Sequence, residues 1–282
     1  YADYMETAIY NALMASLKAD ASQIAKYSPL EGWRHEGEEQ CGMHINCCNA
    51  NGPRAFAMIP QFAYQVQDDC VRVNFYAPSE AELVLPGKKP VRLKQTTDYP
   101  QTDQIEIEVD PAKETAFTIA LRIPAWSKIA VVSVNGQPQD GVLQGAYLPV
   151  NRKWKKGDRI TVKLDLRARL VERNQAQAIV RGPVVLARDS RFGDGFVDEA
   201  SVVVSKDGYV ELTPVKAPGF AWLAFTAPMV LGTDLESNRA PKQIHFCDFA
   251  SAGNTWDKTQ RYRVWLPKTL NVMHSPYRPY NQ

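Results

Sequence analysis

A series of short β-rich runs, beginning near residue 70, most constrains what this chain can fold into. They are "CVRVNFYA" (70–77), "AELVLP" (81–86), "QIEIEVDP" (104–111), "AFTIALRIP" (116–124), "IAVVSVNGQPQ" (129–139), "GDRITVKLDL" (157–166) and "AIVRGPVVLAR" (178–188). Alternating or β-branched apolar residues over four to eight positions fit strands that bury one face. Pro and Gly separate the runs, and Asn135-Gly136 predicts a two-residue hairpin because both residues tolerate positive φ. Strands at this spacing predict an antiparallel sandwich or jelly roll. After residue 190 the pattern loosens. "ASVVVS", "YVELTPV", "FAWLAFTAPMVL" and "RYRVWLP" predict a second, smaller β unit, with Asp189 to Asp198 as the linker.

The first 65 residues read differently. Ala2, Met5, Ile9, Ala12, Leu13 and Leu17 recur at three- and four-residue spacings, which predicts a helix from Tyr1 to about Ala19. A second helix is predicted from Gly52 to about Tyr64. Pro53 suits its first turn, and Phe56, Ile59 and Phe62 fall on one side. The fold class expected is α+β, divided as helices over 1–65, a β-sandwich over 66–189 and a smaller β-rich domain over 190–282. The chain opens at Tyr1 inside a helical pattern, without an initiator Met or signal peptide, so a fragment or processed product is expected. The compartment therefore stays open, an extracytoplasmic or periplasmic one included.

The 282 residues are 45% hydrophobic and 23% charged, enough apolar material for packed cores. A net charge of +2 with mixed signs gives no electrostatic case for nucleic acid. No apolar run is long enough to span a membrane. A homo-oligomer is left open.

Five cysteines are too few for a disulfide scaffold, yet Cys47 and Cys48 are adjacent. Neighbouring cysteines rarely bond to each other, since a disulfide needs Cα atoms roughly 4.4–6.8 Å apart and facing Cβ vectors. Three readings stay open: buried and inert, paired elsewhere, or joint ligands of a soft metal such as zinc. Their place just before a predicted helix favours thiolates. Cys41, Glu38, Glu39, His35 and His44 are the nearby candidate donors, although C-x5-C-C matches no common zinc motif. The bland alternatives are a structural His44 and a solvated acidic loop at Glu36, Glu38 and Glu39.

Trp126, Trp154, Trp222, Trp256 and Trp265 are candidate sugar platforms. Their apolar neighbours in "IPAW" and "RVWLP" favour core positions instead. In "HFCDF" (245–249), strand alternation puts His245, Cys247 and Phe249 on one side and Asp248 on the other. No nucleophilic triad or phosphate loop stands out.

Taken in order, "YADYMETAIYNALMASL", "YSPLEGW" and "CCNANGPRAFAMIPQFAY" resemble the end of the catalytic barrel in glycoside hydrolase family 127, the β-L-arabinofuranosidase-like proteins. The matching positions are Tyr10-Asn11, Pro29-Leu30, Cys47-Cys48, Asn51 and Arg54. "ALRIPAW" (120–126), "VNG" (134–136), "AYLPVNRKWKKGD" (146–158), "AIVRGPVVLA" (178–187) and "RVWLP" (263–267) are similar to the family's β regions. Two departures are the "NANGPR" after the pair, where relatives often carry Pro-Pro-Asn, and the extra Cys41. The resemblance implies the last helices of an (α/α)6 barrel followed by antiparallel β-sandwich or jelly-roll domains. It implies a retaining glycosidase acting on arabinofuranosyl-containing plant glycans. Cys47 would be the nucleophile, and Cys47 and Cys48 would be zinc ligands. The remaining ligands and the acid/base glutamate would lie upstream of Tyr1, on a barrel that acts as this chain's partner, and the chain alone would be inactive. The alternative is a non-catalytic β module for glycan binding or structural support.

Overall fold

A computed structural model describes residues 1–37, 47–232 and 240–269. The fold is mostly β and divides into two compact units. The first comprises Tyr1–Ile9 and Asn49–Leu166, and the second Tyr10–Cys48 and Arg167–Gln282.

Helix α1 (Ala2–Ala8) runs into a π-helical turn at Ile9–Leu13, so the regular helix is shorter than its apolar spacing predicts. The widened turn is where Asn11 leaves the helical pattern to bond a strand. Its Nδ2 donates to Pro183 O at 2.8 Å, and its Oδ1 accepts from Val185 N at 2.8 Å. Strand β1 (Glu31–Gly32) follows. Helix α2 (Cys47–Ala63) starts earlier than Gly52-Pro53 suggests, and Pro53 and Pro60 lie inside it. The cysteine pair therefore forms the helix's first residues rather than preceding it. No residue of α2 is buried. Its expected apolar side is only partly covered, with Phe62 and Met58 exposed.

The first unit holds ten strands: β2 (Tyr64–Gln67), β3 (Cys70–Val73), β4 (Ser79–Leu85), β5 (Lys89–Thr96), β6 (Gln104–Pro111), β7 (Thr115–Arg122), β8 (Val131–Val134), β9 (Gln137–Pro138), β10 (Tyr147–Trp154) and β11 (Asp158–Lys163). They form a four-stranded sheet, order β10-β7-β3-β2, and a six-stranded sheet, order β4-β5-β6-β11-β8-β9. The pairing is antiparallel except between β3 and β7, which run parallel. Alternation is clear on both sheets: Ile105, Ile107 and Val109 on β6, and Val71 and Val73 on β3, are buried while their neighbours are not. Each sheet thus offers one apolar face, the arrangement of a sandwich. Trp154 is fully buried, its ring 5.9 Å from Phe117 and its Nε1 donating to Phe117 O at 3.0 Å. The predicted hairpin is present, with Asn135 at φ 51° and Gly136 at φ 79° joining β8 to β9.

The second unit adds β12 (Ala168–Arg173), β13 (Ala176–Arg181), β14 (Val184–Asp189), β15 (Ser201–Val203), β16 (Tyr209–Val210), β17 (Thr213–Pro214), β18 (Ala224–Leu231), β19 (Lys242–Asp248), β20 (Tyr262–Arg263) and β21 (Leu266–Pro267). With β1 they form an 11-stranded antiparallel sheet whose main path is β15-β18-β19-β14-β13-β12-β16. One core gathers Ile179, Leu186, Phe225, Met229, Phe246 and Leu266, and another Ala15, Cys247, Phe249, Tyr262 and Val264. Asp189–Asp198, read from the sequence as a linker, is anchored along its length. Asp189 caps a 3-10 turn at Ser190–Phe192 by accepting from Arg191 N at 2.9 Å, and Asp198 pairs with Arg263 at 2.6 Å.

Core positions do not hold for the tryptophans as a group. Only Trp154 is buried; Trp126, Trp256 and Trp265 are half-buried and Trp222 is exposed. Trp126 follows its strand, where the chain turns out of the sheet, and Trp222 stacks on Tyr10 with centroids 6.0 Å apart.

Candidate functional site

Cys47 and Cys48 open α2, Cys47 exposed and Cys48 half-buried. Burial pushes the Cys48 thiol up, the Cys47 thiol beside it adds to the rise, and Lys26 opposes it. The helix start therefore does not by itself hold Cys48 as a thiolate, contrary to what its dipole suggests. Among the described residues, no disulfide joins Cys47, Cys48, Cys70 or Cys247.

Two adjacent thiols have the donor chemistry zinc prefers, and they supply half of a tetrahedral set. Among the described residues, no group of three or more His, Cys, Asp or Glu side chains is placed to hold a metal. Cys41, Glu38, Glu39 and His44 lie outside the described residues. His35 is turned to its own loop, its Nδ1 accepting from Gly37 N at 3.0 Å.

Two further polar constellations rank below the pair. In the first unit, Glu6 accepts from Tyr99 Oη at 2.8 Å, Arg122 Nη2 at 2.6 Å and Trp126 Nε1 at 3.2 Å. Arg122 also meets Asp3 and donates from Nε to Asn74 O at 2.5 Å. Burial works against the Arg122 cation, but Glu6 outweighs it and raises its pKa. Arg122 pairs with both carboxylates, Asp3 and Glu6, so the cluster holds α1 to the sandwich. No local spacing announces it, because α1 lies more than ninety positions from the strand and loop residues it meets.

"HFCDF" also separates. Cys247 is fully buried, and burial pushes its thiol well above the ordinary range. Phe249 joins it in the core. Asp248 is equally buried and accepts from Leu223 N at 2.9 Å and Ser251 N at 2.8 Å. His245 is partly exposed, 3.2 Å from Asp194 and stacked on Phe192. Alternation holds, with Cys247 and Phe249 in one core and Ile244 and Phe246 in the other, but the residues form no joint site because Asp248 is taken up by Leu223 and the following turn.

Residues 70–166 match the family model for the β-L-arabinofuranosidase GH127 middle domain. Over that segment the chain is similar to the family 127 β-L-arabinofuranosidases. It is 27% identical over 212 residues to the non-reducing end β-L-arabinofuranosidase of Bifidobacterium longum subsp. longum, covering 66% of this chain and 31% of the relative. The solved GH127 β-L-arabinofuranosidase of Geobacillus stearothermophilus T6 superposes with a TM-score of 0.77 at 22% identity, over 95% of this chain and 46% of that one. A second solved structure, a GH127 β-arabinofuranosidase, gives a TM-score of 0.75 at 23% identity, over 95% of this chain and 46% of the other. The chain thus spans less than half the length of each relative.

Proposed function

We propose that this chain is part of a retaining glycoside hydrolase acting on arabinofuranosyl-containing glycans, with Cys47 as nucleophile and Cys48 beside it as a zinc ligand. The observation that carries this reading is the cysteine pair at the first turn of α2, in a chain whose β region matches the GH127 middle domain. Residues 1–65 would supply helices of an (α/α)6 barrel. The absence of any buried residue in α2 supports this, since a 17-residue helix with an apolar side needs a covering partner.

Zinc bound by Cys47 and Cys48 would supply deprotonated thiols at neutral pH, against the upward pull of burial on Cys48. Cys47 Sγ attacks the anomeric carbon, a C–S bond forms and the glycosidic C–O bond breaks. The leaving oxygen takes a proton from a carboxylic acid on the opposite side of the bond. Water, giving a proton to the carboxylate left by that acid, would then displace the sulfur as thiolate and restore the configuration. On the family's pattern the acid for that step would come from a segment outside this chain, and the chain alone would be inactive.

The test uses the full-length protein that carries this chain and a chromogenic β-L-arabinofuranoside. Cys47→Ser is expected to abolish turnover, and Cys48→Ser to lower zinc content measured by elemental analysis. An active Cys47→Ser protein would overturn the reading.

A further inference from the structure

The loop after β14 borders an open cleft of about 600 Å³ in the second unit, lined by Gly195, Phe196, Asp198, Glu199 and Arg261 among others. Its size lies within the roughly 300–1,000 Å³ of small-ligand sites. The walls are fixed by bonds outside the cleft. Asp194 accepts from His245 N at 2.6 Å, and Asp198 is held by Arg263 at 2.6 Å, with Arg261 3.7 Å away.

Beneath one wall lies Arg188, whose side chain is 1% exposed. Its Nε and Nη1 have no hydrogen-bond partner, and Nη2 reaches only Asp194, its carbonyl oxygen at 3.4 Å and its carboxylate at 3.8 Å. Gly195 separates this guanidinium from the cleft. At φ 117°, a Cβ there would stand 3.4 Å from Arg188 Nη2 and 3.6 Å from Glu199 Oε2. The positive φ and the close approach both favour glycine, which leaves the arginine and the glutamate close to whatever fills the space. Phe196, on the cleft wall, is 83% exposed.

This mixture selects a ligand class. Asp198 and Glu199 disfavour an anion, whereas Arg261 disfavours a cation. Hydroxyl groups both donate and accept, so a polyhydroxylated neutral molecule satisfies both kinds of wall. An exposed aromatic ring adds an apolar surface for the C–H face of a sugar. We infer that this cleft is a glycan-binding site for neutral sugars, separate from the cysteine pair. That arabinan should be the preferred glycan rests on the proposed function; the existence of the site does not.

Isothermal titration of the chain with soluble arabinan, dextran and polygalacturonate tests this, alongside Phe196→Ala and Glu199→Gln. Phe196→Ala should leave the melting temperature unchanged and weaken binding roughly tenfold or more. Arabinan binding that depends on Phe196 and Glu199 supports both the site and the proposed function. Dextran binding with that dependence, and no arabinan binding, keeps the site and counts against the arabinofuranoside reading. Binding of polygalacturonate alone, no glycan binding, or unchanged affinity in both variants overturns the site.

Discussion

Replacing Trp154 by alanine would remove an indole with no solvent exposure from the first unit. The ring contacts Phe117, carries the Arg152 guanidinium at 5.2 Å and donates its N–H to Phe117 O. A fully buried tryptophan replaced by alanine costs about 3–5 kcal/mol. Urea unfolding of Trp154→Ala should show a loss of that size, and a loss below about 1 kcal/mol would mean that the cavity closes without cost. The sequence made this burial legible, because Trp154 shortly precedes the β-rich run 157–166. Trp126 was less legible: it follows a strand, but its half-buried position depends on Glu6 from the distant α1. Arg34 was wholly hidden. It sits in a loop by sequence, yet it is fully buried, donating to Ala15 O at 2.6 Å and Ala250 O at 3.0 Å, under Phe249 and Tyr262. Sequence distance conceals such contacts.

At the scale of elements, the β8–β9 hairpin shows local chemistry deciding structure. Gly136 has open space around its missing Cβ, so a side chain there meets only the conformational penalty of φ 79°. Gly136→Ala should therefore cost about 1–2 kcal/mol in a thermal melt. Asn135 does more than turn the chain. Its side chain donates to Asp158 at 2.8 Å and accepts from Arg159 N at 2.8 Å, tying the turn to β11. The "NG" signal and the β runs were readable because each strand's alternation is carried within its own residues. The start of α2 was misread because Gly-Pro resembles a helix opening, although the helix runs through it from Cys47. The two-residue strand β1 had no readable signal, since its pairing is set by a partner distant in sequence, whereas β20 and β21 fall inside the stretch "RYRVWLP" that reads as β.

For the whole molecule, carboxylates tuned by partners set the response to acid. Asp110 accepts hydrogen bonds from Arg92 and from Gly157 N at 2.8 Å, and Arg92 in particular holds its carboxyl below the usual range against the opposing effect of burial. A folded pKa below the unfolded value of about 3.9 gives stability that is present above that pH and lost as pH falls through the folded value. Asp110→Asn should thus lower the melting temperature at pH 7 and flatten its decline between about pH 5 and pH 2. An unchanged slope would show that Asp110 contributes nothing to acid sensitivity. The β half and the cysteine pair were legible in the sequence, whereas the cleft walled by Phe196 and Arg261 was not, since its residues converge from the 190–199 loop and the approach to β20. The π-turn at Ile9–Leu13 carries a consequence for insertions and deletions. Such a turn equals one residue added to an α-helix. Deleting one residue there would restore the regular helix and turn Asn11 by about 100° around its axis, away from Pro183 and Val185. Chain length through this segment is therefore under constraint even where residue identity is free.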